Sequence, residues 1–205
     1  MKLTLTADQK NDFFENGYLV LRKVPALLDH IRSIERTVGQ LAESYGVSSS
    51  TNEVEKPLTS LEESQLGLFY SALRYLPSVT RLACSEILLE TSKQLGLRTP
   101  AVMHSYNLRM DLPNRDKHLF HWHQDITFLL GSLNSVTYWI PLGKVDEHHV
   151  SIEVVDKSHK SGIAPYKFLG DRAPERRPIS PKEIVLENDP EGAKTTIPAN
   201  AGDII

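Results

Sequence analysis

The hydrophobic and polar positions follow two different rhythms along the chain. Up to about residue 98, apolar residues recur every three or four positions, which is typical of amphipathic helices. This rhythm predicts helices within residues 6–17, 26–46, 60–76 and 78–96. After residue 99, short runs rich in β-branched and aromatic side chains predict strands instead. The expected fold class is α+β, with helices first and strands second.

The boundaries of the first helix carry their own signals. Thr6 and Gln9 have the spacing of a capping box, in which each side chain accepts a hydrogen bond from the backbone of the other. Gly17 predicts the helix end, because glycine adopts the left-handed conformation that closes a helix. A short strand at residues 18–21 is expected next, and Pro77 separates the third and fourth helices.

The second half is divided into short pieces by proline, glycine, asparagine and aspartate. Several strands at this spacing predict a β-sandwich or barrel. The proline- and charge-rich residues 170–183 predict a surface loop. The predicted strands lie in residues 101–110, 118–130, 135–142, 150–155, 183–187 and 194–198.

Composition excludes some classes of function. The 23 basic and 26 acidic residues give a net charge of −3, without the positive field that nucleic-acid binding needs. No apolar run approaches the roughly 18 residues of a membrane span, and the polar start is not a signal peptide. The single cysteine, Cys84, is expected on a buried helix face and fits a reducing compartment. We therefore expect a cytoplasmic protein without nucleic-acid or membrane partners.

Candidate chemistry is concentrated in the segment LFHWHQDIT, residues 119–127. On a strand, side chains two residues apart point to the same side, roughly 6.6 Å apart, so His123 and Asp125 would face one point. A histidine and a carboxylate are two of the three ligands in the facial triad of non-haem Fe(II) oxygenases. A hydrogen-bonded pair at a strand rim is the alternative. His121 is expected at the rim of the site or behind the ligands.

Four stretches in register resemble the phytanoyl-CoA dioxygenase family of Fe(II)- and 2-oxoglutarate-dependent oxygenases. They are WHQD with its neighbours YNLRM and SVTYWIPL, then LTADQKNDFFENGYLVLRKV, VVDKSHKSG and AGDII. The resemblance implies a double-stranded β-helix (jelly-roll, cupin-like) with an N-terminal helical layer. It also implies a dioxygenase that uses molecular oxygen to hydroxylate a small organic substrate, with release of succinate and CO₂.

The resemblance also implies roles for individual residues. It makes His123 and Asp125 iron ligands and places Trp139 beside 2-oxoglutarate, with Asn107 and Arg109 as polar contacts to that co-substrate. A core aromatic is the alternative for Trp139, and a surface charge is the alternative for Arg109. The aspartate favours hydroxylation, because related halogenating enzymes have a small residue at its position.

The chain departs from the family pattern in two places. The segment before His159 lacks the usual glycine and proline, and His159 is expected to be structural, with His148 and His149 in an exposed loop. In the family, the third histidine ligand and an arginine for the 2-oxoglutarate carboxylate follow the Gly-Asp strand. No histidine follows His159. We expect a single, C-terminally truncated domain, helical over 1–98 and partial β-helix over 99–205, with the third ligand beyond residue 205. By itself this piece is expected to bind iron weakly and to be inactive.

The substrate is not indicated by any motif. Five basic residues near the expected pocket side would steer an anionic substrate, unless they are ordinary solvated charges. These are Lys157, Lys160, Arg172, Arg176 and Arg177. Two other functions remain open: a cupin-like metalloenzyme that does not use 2-oxoglutarate, and a non-catalytic jelly-roll binding protein.

Overall fold

The protein combines helices and strands. The computed structural model describes residues 3–47, 58, 60–103, 106–109, 120–129, 132–145, 151–169 and 184–205. The helices are α1 (Ala7–Asn16), α2 (Leu28–Ser44), α3 (Glu63–Leu73), α4 (Pro77–Ala83), α5 (Glu86–Gln94) and α6 (Ile126–Leu129), with 3₁₀ turns at Pro25–Leu27 and Ser158–Ser161. The strands are β1 (Ile152–Val155), β2 (Tyr166–Phe168), β3 (Ile184–Leu186) and β4 (Lys194–Ile197).

Helix α1 begins and ends where its sequence signals predict. The Thr6 hydroxyl accepts from the Gln9 N–H at 3.1 Å, and the Gln9 side chain accepts from the Thr6 N–H at 2.9 Å. Gly17 closes the helix at φ 86°, and its N–H donates to the Phe13 carbonyl at 2.8 Å. The capping box and the glycine stop are both confirmed.

Helices α2 to α5 share one hydrophobic core. Each turns a stripe of apolar side chains inward, at the three- and four-residue spacing expected of amphipathic helices. The ring of Phe69 is fully buried and meets Tyr45 edge to face, with ring centroids 5.5 Å apart. The buried stripes are Ile31, Ile34, Val38 and Ala42 of α2, Leu66, Phe69 and Leu73 of α3, Val79 and Leu82 of α4, and Ile87 and Leu88 of α5.

The single helix predicted for residues 78–96 is wrong in one respect. It is divided into α4 and α5, because Ser85 adopts the extended N-cap conformation at φ −68°, ψ 145°. Serine favours this position over a helix interior. The break also exposes Cys84, which was expected on a buried face.

The strand half contains two antiparallel pairs. Strand β1 pairs with β4, with Ile152 opposite Ile197, and β2 pairs with β3, with Tyr166 opposite Leu186. The predictions of β1, β3 and β4 are confirmed, while β2 was not predicted. The described parts of the segments predicted as strands at 101–110, 118–130 and 135–142 are irregular, apart from α6. In the described ranges these sheets are too sparse to define a jelly-roll.

The segment after β4 joins the two halves of the molecule. Its backbone pairs both with the start of the chain and with the segment that contains Trp139. The predicted strand at residues 18–21 is reduced to one of these bridges. The pairs are Leu21 with Ile204, Trp139 with Ile205 and Val145 with Ala199, each held by two hydrogen bonds of 2.8 to 3.0 Å.

A buried carboxylate, Asp203, reinforces this junction. Its side chain is 3% exposed and accepts from Arg22 Nη1 at 2.8 Å. The N–H groups of Lys23 and Asn200 donate to it at 2.9 and 3.0 Å. Burial works to raise the pKa of Asp203, but these donors lower it overall below its ordinary value. The charged carboxylate therefore stabilises the junction.

Among the described helices, none is both long enough and apolar enough to cross a bilayer.

Candidate metal centre

His123 and Asp125 lie side by side. His123 Nε2 is 3.4 Å from Asp125 Oδ1, and the two side chains are 24% and 32% exposed. The pair is thus partly shielded and partly open to solvent. This arrangement brings together the two residues that the sequence predicts as metal ligands.

The backbone around the pair differs from the predicted strand. Residues 120–124 are irregular, and the chain turns at Asp125 into the short helix α6. Thr127 stabilises this turn, because its N–H and its hydroxyl both donate to the Gln124 carbonyl, at 3.1 and 2.7 Å. The prediction of a strand here is wrong, although the two side chains still converge.

A backbone carbonyl orients the imidazole of His123. His123 Nδ1 lies 2.6 Å from the His121 carbonyl oxygen. Because a carbonyl only accepts, Nδ1 carries the proton, and in the neutral ring Nε2 is left with a lone pair directed toward Asp125. The side chain of His121 is exposed. Its carbonyl, rather than its imidazole, supports the pair from behind.

A hydroxyl orients the carboxylate of Asp125. Thr137 Oγ1 donates to Asp125 Oδ2 at 2.6 Å, while Oδ1 faces His123. One carboxylate oxygen is therefore held by the protein, and the other is directed at the shared point. Support of this kind is typical of metal-ligating carboxylates.

The electrostatics of the pair are those of a histidine–carboxylate ion pair. Burial acts to lower the pKa of His123, but Asp125 and the His121 carbonyl raise it overall above its ordinary value. Burial acts to raise the pKa of Asp125, but His123 and Thr137 lower it overall. Each partner therefore favours the charged form of the other.

The geometry of the pair fits one divalent metal ion. Such ions hold nitrogen and oxygen ligands at about 2.0–2.2 Å, so two adjacent donor atoms are roughly 3.0–3.5 Å apart. The 3.4 Å between His123 Nε2 and Asp125 Oδ1 lies in this range. Within the described ranges, no third histidine, cysteine, aspartate or glutamate completes a cluster.

Arg109 contacts the ring of Phe120, which in turn contacts His123 of the pair. Its guanidinium carbon lies 3.9 Å from the centre of the Phe120 ring, a cation–π contact. Phe120 in turn meets His123 edge to face, with ring centroids 5.8 Å apart. The positive charge of Arg109 opposes protonation of His123.

Two extended segments separate the helical core from the pair. In residues 106–109 and 135–142, the even-numbered side chains pack against the helical core. Tyr138 bonds the Leu88 carbonyl at 3.1 Å, whereas its neighbour Thr137 bonds Asp125. Opposite directions for successive side chains are typical of extended backbone. The even-numbered set is Tyr106, Leu108, Val136, Tyr138, Ile140 and Leu142.

The remaining candidate residues are distributed as follows. Trp139 is half-buried and its backbone pairs with Ile205, while Asn107 is exposed. Sequence reasoning missed Thr137 and Phe120 as contacts of the pair. The signal for Thr137 was its position two residues before Trp139, on the same side of an extended segment.

The histidines and basic residues expected outside the metal pair have different outcomes. His159 Nε2 bonds the Phe14 carbonyl at 3.1 Å, which agrees with a structural role. Lys160 pairs with Glu15 at 2.7 Å, at the end of α1. The predicted loop 170–183 and five candidates lie outside the described residues: His148, His149, Arg172, Arg176 and Arg177.

A histidine and a carboxylate are two of the three ligands in the facial triad of mononuclear non-haem iron oxygenases. The family model for phytanoyl-CoA dioxygenase (PhyH) matches residues 13–205. The chain therefore belongs to the phytanoyl-CoA dioxygenase family, in which Fe(II)- and 2-oxoglutarate-dependent oxygenase activity is general. No curated protein matches the chain.

Proposed function

We propose that the protein is an Fe(II)- and 2-oxoglutarate-dependent dioxygenase that hydroxylates a small organic substrate. The observation that carries the proposal is the 3.4 Å pair of His123 and Asp125, each supported from behind, in a chain that matches the family over residues 13–205. A simple surface ion pair needs neither the bond of His123 to the His121 carbonyl nor the bond of Asp125 to the Thr137 hydroxyl. Both are expected where ligand atoms must be held for a metal.

His123 Nε2 and Asp125 Oδ1 would hold the iron. The His121 carbonyl keeps the proton on His123 Nδ1, and Thr137 occupies the second oxygen of Asp125. A third protein ligand is not among the described residues. When bound, Fe(II) with 2-oxoglutarate and molecular oxygen supplies the oxidising chemistry and releases succinate and CO₂.

Asn107, Arg109 and Trp139 would contact 2-oxoglutarate. All three are odd-numbered residues of the two segments whose even-numbered side chains face the helical core. The contact of Arg109 with Phe120 supports this direction, and a guanidinium matches a carboxylate well. Trp139 follows Thr137 by two residues and would share its side. The carboxylate of Asp125 favours hydroxylation over halogenation.

The same proposal extends to the fold and the setting of the enzyme. The antiparallel pairs and the backbone bridges to Ile204 and Ile205 support one double-stranded β-helix domain with a helical layer. A small-molecule substrate and molecular oxygen are its expected partners. A cytoplasmic setting remains an expectation from the single cysteine.

Succinate formation tests the proposed function. The protein purified at the full length of its native gene should bind Fe(II) and, with 2-oxoglutarate and oxygen, form succinate, and His123→Ala should lose both properties. His121→Ala is the matched control, because only the backbone of His121 contacts the pair. Metal-dependent turnover without 2-oxoglutarate would instead indicate another metalloenzyme. Absence of metal binding by the unaltered full-length protein would indicate a non-catalytic binding protein.

A further inference from the structure

The side chain of Gln124 bonds one stretch of backbone twice. Its Nε2 donates to the Gly162 carbonyl at 3.0 Å, and its Oε1 accepts from the Ala164 N–H at 2.9 Å. Both ends of the amide are thus used, and its orientation follows from its partners, since a carbonyl only accepts and an N–H only donates. Gln124 stands between the two proposed iron ligands in the chain.

The other end of the bonded stretch is anchored to helix α1. The last carbonyls of a helix have no partners within the helix, so they need acceptable donors from elsewhere. Here the segment that begins at Lys157 provides two of these donors and an ion pair. The contacts are Lys157 N to the Asn16 carbonyl at 2.8 Å, His159 Nε2 to the Phe14 carbonyl at 3.1 Å, and Lys160 to Glu15 at 2.7 Å.

Two glycines make these contacts possible. A Cβ on Gly17 would collide with the His159 ring, so only glycine allows the segment to approach α1 so closely. Gly162 adopts φ 77° and ψ −155°, a conformation that is essentially restricted to glycine. This conformation sets the direction of the carbonyl that Gln124 bonds.

We infer that Gln124 is a positioning residue for the metal pair. Gln124 is joined by peptide bonds to His123 on one side and to Asp125 on the other. Because Gly162 and Ala164 hold its side-chain amide, they also restrain the backbone of both ligands. The Gln124 carbonyl is held as well, by the N–H and hydroxyl of Thr127. The contacts run from α1 through the 157–164 segment to the pair. The inference rests on the proposed function, since it assigns a role within that metal site.

A second glutamine provides a matched control. Gln94 of α5 makes the same pair of bonds to another stretch of backbone. Its Oε1 accepts from the Leu5 N–H at 2.8 Å, and its Nε2 donates to the Leu3 carbonyl at 2.9 Å. In both cases the two bonded residues are two positions apart. Gln94 Nε2 also donates to the Glu90 carbonyl of its own helix at 3.2 Å. Gln124→Met and Gln94→Met therefore remove the same two bonds between distant segments, but only the first does so beside the proposed ligands.

The experiment compares the two methionine variants with the unaltered protein. Anaerobic titration with Co(II), read from its visible absorption, measures metal affinity and ligand geometry. We expect Gln124→Met to weaken Co(II) binding about 10- to 100-fold and to alter the spectrum, as loss of outer contacts does in other metal sites. Gln94→Met should leave both unchanged. In the metal-free protein, the NMR signal of the His123 Nδ1–H should weaken only in Gln124→Met.

A second variant approaches the contact from its other partner. Gly162→Ala strains the backbone that presents the carbonyl, while a Cβ there would meet no atom within 4 Å. It should weaken Co(II) binding in the same direction as Gln124→Met. Combined with Gln124→Met, it should add no further loss, because both changes act through one contact. Gly162→Ala also keeps the test valid if Gln124→Met fails to fold.

The outcomes separate the inference from the proposed function. Equal Co(II) affinities and spectra for Gln124→Met and Gln94→Met would overturn the role of Gln124 and leave the metal site standing. Absence of Co(II) and Fe(II) binding by the unaltered full-length protein would overturn the proposed function. In that case the His123 Nδ1–H signal of the metal-free protein still tests whether Gln124 positions His123. An unchanged signal in Gln124→Met would overturn the inference too.

Discussion

The helical layer and the region of the metal pair are held together in different ways. In the layer, Ile34 and Phe69 are 1% and 0% exposed, and apolar packing surrounds them. Around the pair, His123 and Asp125 remain 24% and 32% exposed, and individual hydrogen bonds set their directions. Hydrophobic burial is strong but non-directional, whereas hydrogen bonds are weaker and directional. Stability and site geometry therefore depend on different residues here.

The two regions meet in the extended segments. One side of residues 135–142 packs on the helical core, and the other side supplies Thr137 to Asp125. Packing against the core thus fixes the position of the segment whose Thr137 hydroxyl bonds Asp125. Substitutions in the core should therefore change stability, and substitutions around the pair should change metal binding.

The largest expected effect is on the helical layer. Phe69→Ala should lower the free energy of unfolding by about 3–5 kcal/mol, because it leaves a cavity in a closed core. Denaturant unfolding followed by helical circular dichroism measures the change. The folded protein should keep its metal affinity, since Phe69 belongs to a core cluster that includes neither His123 nor Asp125.

The neighbouring residue supplies the control for this prediction. Leu68 is 64% exposed, so Leu68→Ala should change stability by less than about 0.5 kcal/mol. Equal effects of the two substitutions would show that α3 does not bury the face described above.

The second effect concerns the junction between the regions. Asp203→Asn should lower stability by about 1.5–3 kcal/mol at neutral pH, because it weakens hydrogen bonds to a charged group. The pKa of Asp203 is lowered in the folded protein, so its contribution is complete above the unfolded pKa and is lost as the pH falls through the folded pKa. Unfolding measured at successively lower pH should bring the unaltered protein and Asp203→Asn together. A difference independent of pH would exclude the charge as its cause.

The smallest expected effect concerns the metal pair alone. Thr137→Val keeps the shape of the side chain but removes the 2.6 Å bond to Asp125. Metal affinity should fall about 10- to 100-fold with little change in stability, as calorimetric titration would show. Thr137→Ser keeps the hydroxyl and should restore most of the affinity. Equal losses in both variants would point to packing of the Thr137 methyl group instead.

Local signals predicted the helical layer better than the strand half. The capping box of Thr6 and Gln9 was evident because all its atoms lie within one turn of chain. The break at Ser85 was missed, since the apolar rhythm continues through it and only the packing of α4 and α5 decides the boundary. Strands are harder to predict, because their partners are distant: β1 pairs with β4 about forty residues away.

At the candidate site, the pair and the family resemblance were evident from the order of residues along the chain. His123 and Asp125 were recognisable from their spacing, and the motifs around them predicted the family that the match over residues 13–205 confirms. The contacts that hold the pair became evident from the folded chain. Thr137, Gly162 and Ala164 are 12 or more positions away from the residues they bond. Hydrogen-bond partners depend on position in space, and a distance of 2.6 or 3.0 Å between separate segments leaves no periodic trace in the chain.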